Sequence, residues 1–180
     1  MKMSDKNDVL SDVKGQMRLS ERIEAFIPGF RGYKEKEIRR ESDRLIRNHL
    51  YLKLSIEKTD LRDISQKLAD RRYFDVLTDM DRLLAKMDRI SEKINHASYG
   101  YGGFFDAVKV KEDSLDHMID FDNQLLEGIN ALTTEMAAFK ADLASGATSN
   151  LKTRVQNVTD KLESLEDTFD KRNEVIQGAN

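Results

Sequence analysis

Cysteine and tryptophan are absent from the 180 residues, proline occurs once and glycine nine times. The lack of cysteine removes disulfides, thiolate metal sites and cysteine nucleophiles together, and it is compatible with a reducing compartment. With so little proline and glycine there are few places for a sharp turn, so long amphipathic helices are expected rather than a turn-rich sheet protein. Long apolar runs are also missing. The longest is Met136-Ala137-Ala138-Phe139, against the roughly 20 residues needed to cross a bilayer, and MKMSDKNDVL has no apolar signal-peptide core. The expectation is a cytoplasmic protein, with peripheral contact to a membrane left open.

Charge is plentiful but unevenly placed. The net charge is −3, yet residues 14–72 carry 16 Lys/Arg against 10 Asp/Glu, whereas residues 73–180 carry 12 against 20. A basic first third followed by an acidic remainder suits head-to-tail contact between copies, or contact with an anionic partner.

Apolar spacing predicts the helices. Val13, Met17, Ile23, Phe26 and Ile27 mark an N-terminal amphipathic helix over 9–27, preceded by a flexible 1–8, and Pro28-Gly29-Phe30-Arg31-Gly32 breaks it. A second helix from Tyr33 carries Ile38, Ser42, Leu45, His49, Leu52 and Ile56, widened by Ile46 and Leu50. The stripe then shifts to Leu61, Ile64 and Leu68, which predicts a break at Thr59-Asp60, with one bent helix over 34–96 as the rival. Residues 112–143 hold an unslipped stripe from Leu115 to Leu143 interrupted only by Asp122, and 151–176 hold another interrupted only by Arg172. The fold expected is all-α: one domain over 1–180, an elongated up-and-down bundle of about four long helices over 33–177 with the N-terminal helix added.

Candidate chemistry is sparse. Glu92 and His96, and Asp113 and His117, are spaced four apart, but the Glu-x-x-His pairs of a carboxylate-bridged metal bundle are missing. No serine nucleophile motif, phosphate-cradling glycine loop or calcium loop occurs. No catalytic residue, metal or cofactor is therefore expected. Asp122 and Arg172 stand equally far from the 144–150 connector, so an antiparallel hairpin sets them level as a structural polar pair, with charges snorkelling from a widened end as the alternative. Lys36, Arg39, Arg40, Arg44 and Arg47 offer an anionic-surface site on the second helix, although interleaved acids suit an ion-paired solvated face. SYGYGGFFDA at 98–107 concentrates four of the thirteen aromatic residues and three of the nine glycines. If the chain reverses near residue 60, this loop meets FIPGFRGY at one end of the bundle. It then closes the core or presents Tyr99, Tyr101, Phe30 and Tyr33 to a partner.

Residues 23–47, IEAFIPGFRGYKEKEIRRESDRLIR, and 95–128, NHASYGYGGFFDAVKVKEDSLDHMIDFDNQLLEG, resemble a family of all-helical prokaryotic proteins, archaeal members among them. That family carries no assigned activity, so the resemblance implies an all-helical fold and transfers no catalytic residues. The functional expectation is a non-enzymatic helical-bundle scaffold working through protein-protein contacts, self-association included. The alternative is a peripheral binder of anionic lipid, or of RNA or the ribosome, through 14–72. No small-molecule substrate is evident.

Overall fold

A computed structural model of the chain describes residues 19–97, 102–106 and 110–178. Six helices cover them and no strand is present among the described residues: α1 (19–26), α2 (Lys36–Asp70), α3 (Leu77–His96), α4 (Gly102–Asp106), α5 (Glu112–Ser145) and α6 (Leu151–Gly178). Contacts divide the described residues into two compact units, each discontinuous in sequence. One takes 19–46, 102–106, 110–124 and 170–178, and the other takes 47–97 and 125–169.

The second unit is a bundle of four helical segments. Lys58 of α2 meets Asp88 of α3, and Arg47 donates to the Asn95 carbonyl, so these segments run antiparallel on either side of residues 71–76. Arg154 of α6 bonds Asp142 and Glu135 of α5, which sets that pair antiparallel as well. Leu54, Leu61, Met87, Ile90, Leu132 and Phe139 are among the fully buried side chains of its core. Apolar burial of this kind contributes about 25 cal/mol per Å² and dominates the stability of a bundle.

Two helix ends in this unit use the same device. At the end of α5, Ala147 N donates to Asp142 O and Gly146 N to Leu143 O, with Gly146 at φ 77°. At the end of α2, Tyr73 N donates to Leu68 O and Arg72 N to Ala69 O, with Arg72 at φ 64°. Both are Schellman caps, which satisfy the last carbonyls through a left-handed residue. The second is built on arginine rather than glycine.

The break expected at Thr59-Asp60 is therefore displaced to 71–76, and α2 and α3 are separate helices. Thr59 does not cap a helix there, since its hydroxyl bonds back to the Ser55 carbonyl within α2 at 3.1 Å. The stripe does not shift either. The buried side of α2 runs Arg39, Asp43, Ile46, Leu50, Leu54, Glu57, Leu61, Ile64 and Leu68, while Leu52 and Ile56 are 61% and 57% exposed. Leu52 and Ile56 belong to a separate outer stripe, and the buried Glu57 interrupts the apolar run of the inner one without shifting it. Glu57 is accommodated inside by the Thr133 hydroxyl, which donates to its Oε1 at 2.7 Å. On α5 and α6 the expected stripes are buried throughout, from Leu115 to Leu143 and from Leu151 to Ile176.

In the first unit the chain after α1 turns through two glycines in the left-handed region, Gly29 at φ 89° and Gly32 at φ 76°, which an L side chain adopts only at a cost. Ile23 and Ile27 enter the core, but Phe26, expected on the same apolar side, is 50% exposed. Residues 1–18, including Val13 and Met17, lie outside the described residues.

Candidate functional site

The most organised polar arrangement lies inside the first unit. Asp122 on α5 and Arg172 on α6 occupy stripe positions that their helices bury, and the structure brings them together: Arg172 Nε donates to Asp122 Oδ1 at 2.7 Å. The two other guanidinium nitrogens are also engaged, Nη1 with Asp43 Oδ1 and Nη2 with the Tyr33 hydroxyl, each at 3.0 Å. Tyr33 in turn donates its proton to Asp122 Oδ2 at 2.6 Å. All four side chains are at 0% exposure.

Burial shapes the titration of this cluster. It pushes Asp122 above the usual carboxylate range despite the opposing pull of Arg172 and of the Tyr33 hydrogen bond. Burial, with the Asp122 charge second, raises Tyr33 well above 10. For Arg172 burial acts downward, but Asp122, Tyr33 and Asp43 overcome it and hold the guanidinium charged. A second buried arginine, Arg39, balances the count, so two guanidinium groups and two carboxylates share the interior of this unit. Arg39 Nε donates to Tyr33 O at 2.9 Å and Nη1 to Phe104 O at 3.3 Å, with its guanidinium 5.9 Å from the Phe104 ring centre.

Aromatic rings cover the cluster edge to face. Phe30 meets Tyr33 at 5.8 Å between centroids, Tyr33 meets Phe104 at 6.2 Å, and Phe104 meets Phe105 at 5.6 Å. The Ser42 hydroxyl donates to the Gly32 carbonyl at 2.7 Å and ties the turn to α2. The FIPGFRGY turn and GGFFD segment thus form one packed feature, and Phe30 and Tyr33 belong to its core. They are not the exposed partner contacts expected, because filling the space over the polar cluster takes their rings at 2% and 0% exposure. Tyr99 and Tyr101 lie outside the described residues.

The anionic-surface set divides in two. Lys36, Arg40 and Arg44 are exposed, with Arg40 over the Phe105 ring at 5.6 Å and Arg44 holding Glu41 through two hydrogen bonds. Arg39 and Arg47 are 3% and 7% exposed and cannot form part of a surface site. Their guanidinium groups are turned to backbone carbonyls of the chain itself, Arg47 Nη1 donating to the Asn95 carbonyl at 3.2 Å.

Sequence reasoning missed Asp43, which looked like one acid among the alternating charges of α2. A signal existed: carrying the Leu54, Leu50, Ile46 stripe one turn further toward the N-terminus lands on Asp43 and then Arg39.

A cleft of about 410 Å³ in this unit is bordered by Phe30, Gly32, Tyr33 and Ile119, with Glu21, Glu24, Arg31, Lys34 and Glu35 among its charged lining. Because the four network side chains have no exposure, a molecule in the cleft meets those outer charges and not the cluster. His96 Nε2 lies 3.2 Å from Glu92 as an exposed pair, and among the described residues no group of three or more His, Cys, Asp or Glu is arranged to hold a metal ion. No described helix is long and apolar enough to cross a membrane. No protein-family model, curated protein or solved structure matches the chain.

Proposed function

We propose that this is a non-enzymatic helical-bundle interaction protein, a scaffold that works through protein-protein contacts, and that α2, α3, α5 and α6 form an up-and-down bundle to which the N-terminal helix is added. The observation that carries the reading is where the two unusual classes of side chain lie. The polar constellation that would otherwise suggest catalysis is sealed at 0% exposure, whereas Phe26, Leu52, Ile56 and Phe74 stand half or more exposed. Buried charges in such a network specify one arrangement of helices, and apolar side chains left in water are what a partner covers. The Tyr33–Phe104 contact also supports reading the two blocks that carry the resemblance to a prokaryotic helical family as a single structural feature. A cytoplasmic location belongs to the same proposal.

The test is native purification of the intact chain with identification of bound protein, together with light scattering at low and high salt. A stoichiometric protein partner or a salt-sensitive oligomer is expected. A monomer in both salts with no bound protein overturns the reading.

A second reading, peripheral binding to anionic lipid or RNA, keeps support from exposed Lys36, Arg40 and Arg44 but has lost Arg39 and Arg47. It predicts binding to phosphatidylserine vesicles or to RNA that falls steeply with salt. No binding at low salt removes it.

A further inference from the structure

We propose that one end of the second unit, where the 71–76 turn meets the 144–150 connector, is a contact surface for an anionic lipid bilayer, with Phe74 inserted and Arg72 at the headgroups. The inference rests on the second reading above, in its lipid form, and gives it a surface that lies wholly within one unit. Phe74 is 64% exposed, the most exposed large apolar side chain among the described residues, and Tyr73 before it is half-buried. Arg71 Nη1 donates to the Leu143 carbonyl at 2.6 Å, and Lys152 Nζ lies 3.6 Å from Asp75, so the turn and the connector are side by side.

Charge selects the occupant. Residues 47–97 and 125–169, the whole unit, carry 15 Lys/Arg against 16 Asp/Glu, yet residues 67–80 and 140–154 at this end carry six against four. Each of those four acids is engaged by the chain: Asp70 by Gln66, Asp75 by Lys152, Asp79 by Arg82 and Asp142 by Arg154. Ala144 to Asn150 add no charge, so the connector holds no acid to oppose a negative surface. Arg72 is exposed and stands at φ 64°, where glycine is favoured, and among the described residues its guanidinium has no hydrogen bond or ion pair. Strained residues that the fold itself does not use cluster at functional positions. A guanidinium matches lipid phosphate and carboxylate groups, and an aromatic ring next to it settles at the boundary between headgroups and acyl chains. One ring with a small excess of positive charge makes a weak, reversible anchor.

The chain has no tryptophan, so Phe74→Trp places a single fluorophore at this end. In the full chain at low salt its emission should shift to the blue on adding vesicles of phosphatidylcholine mixed with phosphatidylserine, and much less with phosphatidylcholine alone. Phe74→Ala should weaken co-sedimentation with the mixed vesicles about tenfold while leaving the thermal midpoint unchanged, since the ring is exposed. Arg72→Gly should weaken it about fivefold and yet raise the midpoint, a pair of opposite responses that a purely structural arginine does not give. No binding to mixed vesicles overturns the contact, and RNA binding then decides what is left of the second reading. Binding that survives both Phe74→Ala and Arg72→Gly but is lost when Lys36 and Arg44 are changed to Glu places the lipid surface on α2. That result overturns this contact and leaves the second reading standing.

Discussion

In one unit Arg172 sits at 0% exposure among Asp43, Asp122 and Tyr33; in the other, Glu166 lies half-buried between Arg89 and Lys93, whose side chains reach further into water. Both are clusters of opposite charges, and their surroundings differ. Inside, each charge has lost its water and depends on its partners, so the network tolerates one arrangement of α2, α5 and α6 and penalises others. In the second unit Lys86–Glu163, Arg89–Glu166 and Lys93–Glu166 link α3 to α6, and water reaches these half-buried pairs and partly screens them. The first unit therefore fixes its helices through a closed network of buried charges, and the second joins α3 to α6 through half-buried ion pairs beside an apolar core.

The largest effect that would sharpen this contrast is Arg172→Met, which leaves Asp43 and Asp122 buried without their cation. Urea unfolding should show a loss of about 3 to 5 kcal/mol, whereas Lys86→Met in the second unit should cost no more than about 1 kcal/mol. Equal losses would erase the distinction.

Tyr33→Phe keeps the ring and unpairs Asp122 Oδ2 and Arg172 Nη2, for an expected loss of about 1 to 3 kcal/mol by the same measurement. Because folding raises the Tyr33 pKa above 10, the associated stability is intact below the unfolded value and is lost as pH rises beyond it. Ultraviolet titration should accordingly find one of the five tyrosines resisting ionisation until the chain unfolds.

Glu166 has the opposite sign. The Arg89 hydrogen bonds, against a burial cost and with help from Lys93, lower its pKa from 4.5 to about 2. Its contribution is present above 4.5 and disappears as pH falls toward 2. Discounted for the exposure of Arg89, Glu166→Gln should cost about 1 to 2 kcal/mol at pH 7. The difference from wild type should nearly vanish in urea unfolding at pH 2.

The smallest expected effects concern the two caps. Arg72→Gly relieves a left-handed arginine and should stabilise by about 0.5 to 1 kcal/mol, while Gly146→Ala should destabilise by about 1 kcal/mol. Thermal melts of the two variants should therefore move in opposite directions.

The caps also show why parts of the fold were legible and others were not. The α5 end and the turn before α2 contain glycines at positive φ, a signal printed in residue type, whereas Arg72 adopts the same geometry without the residue that announces it. Asp122 and Arg172 stood out because each interrupts an otherwise apolar repeat. Asp43 did not, because it sits among the alternating charges of α2 and shows only when the Leu54, Leu50, Ile46 stripe is carried one turn further, and nothing near Tyr33 in sequence distinguishes a core tyrosine from an exposed one.

What the sequence determined by itself is local: the helices, their repeats on α5 and α6, the glycine turns and the levels of Asp122 and Arg172 on either side of the connector. These follow from interactions among chain neighbours, which a 3.6-residue repeat records directly. Tertiary structure alone decided which of two apolar stripes on α2 faces inward, where α2 ends, and which polar side chains join Arg172. Helix periodicity specifies faces, but burial is settled by what the other helices offer to each face, and Asp43 and Arg39 fit inside because Arg172, Tyr33 and the Phe104 carbonyl are there to meet the groups around them.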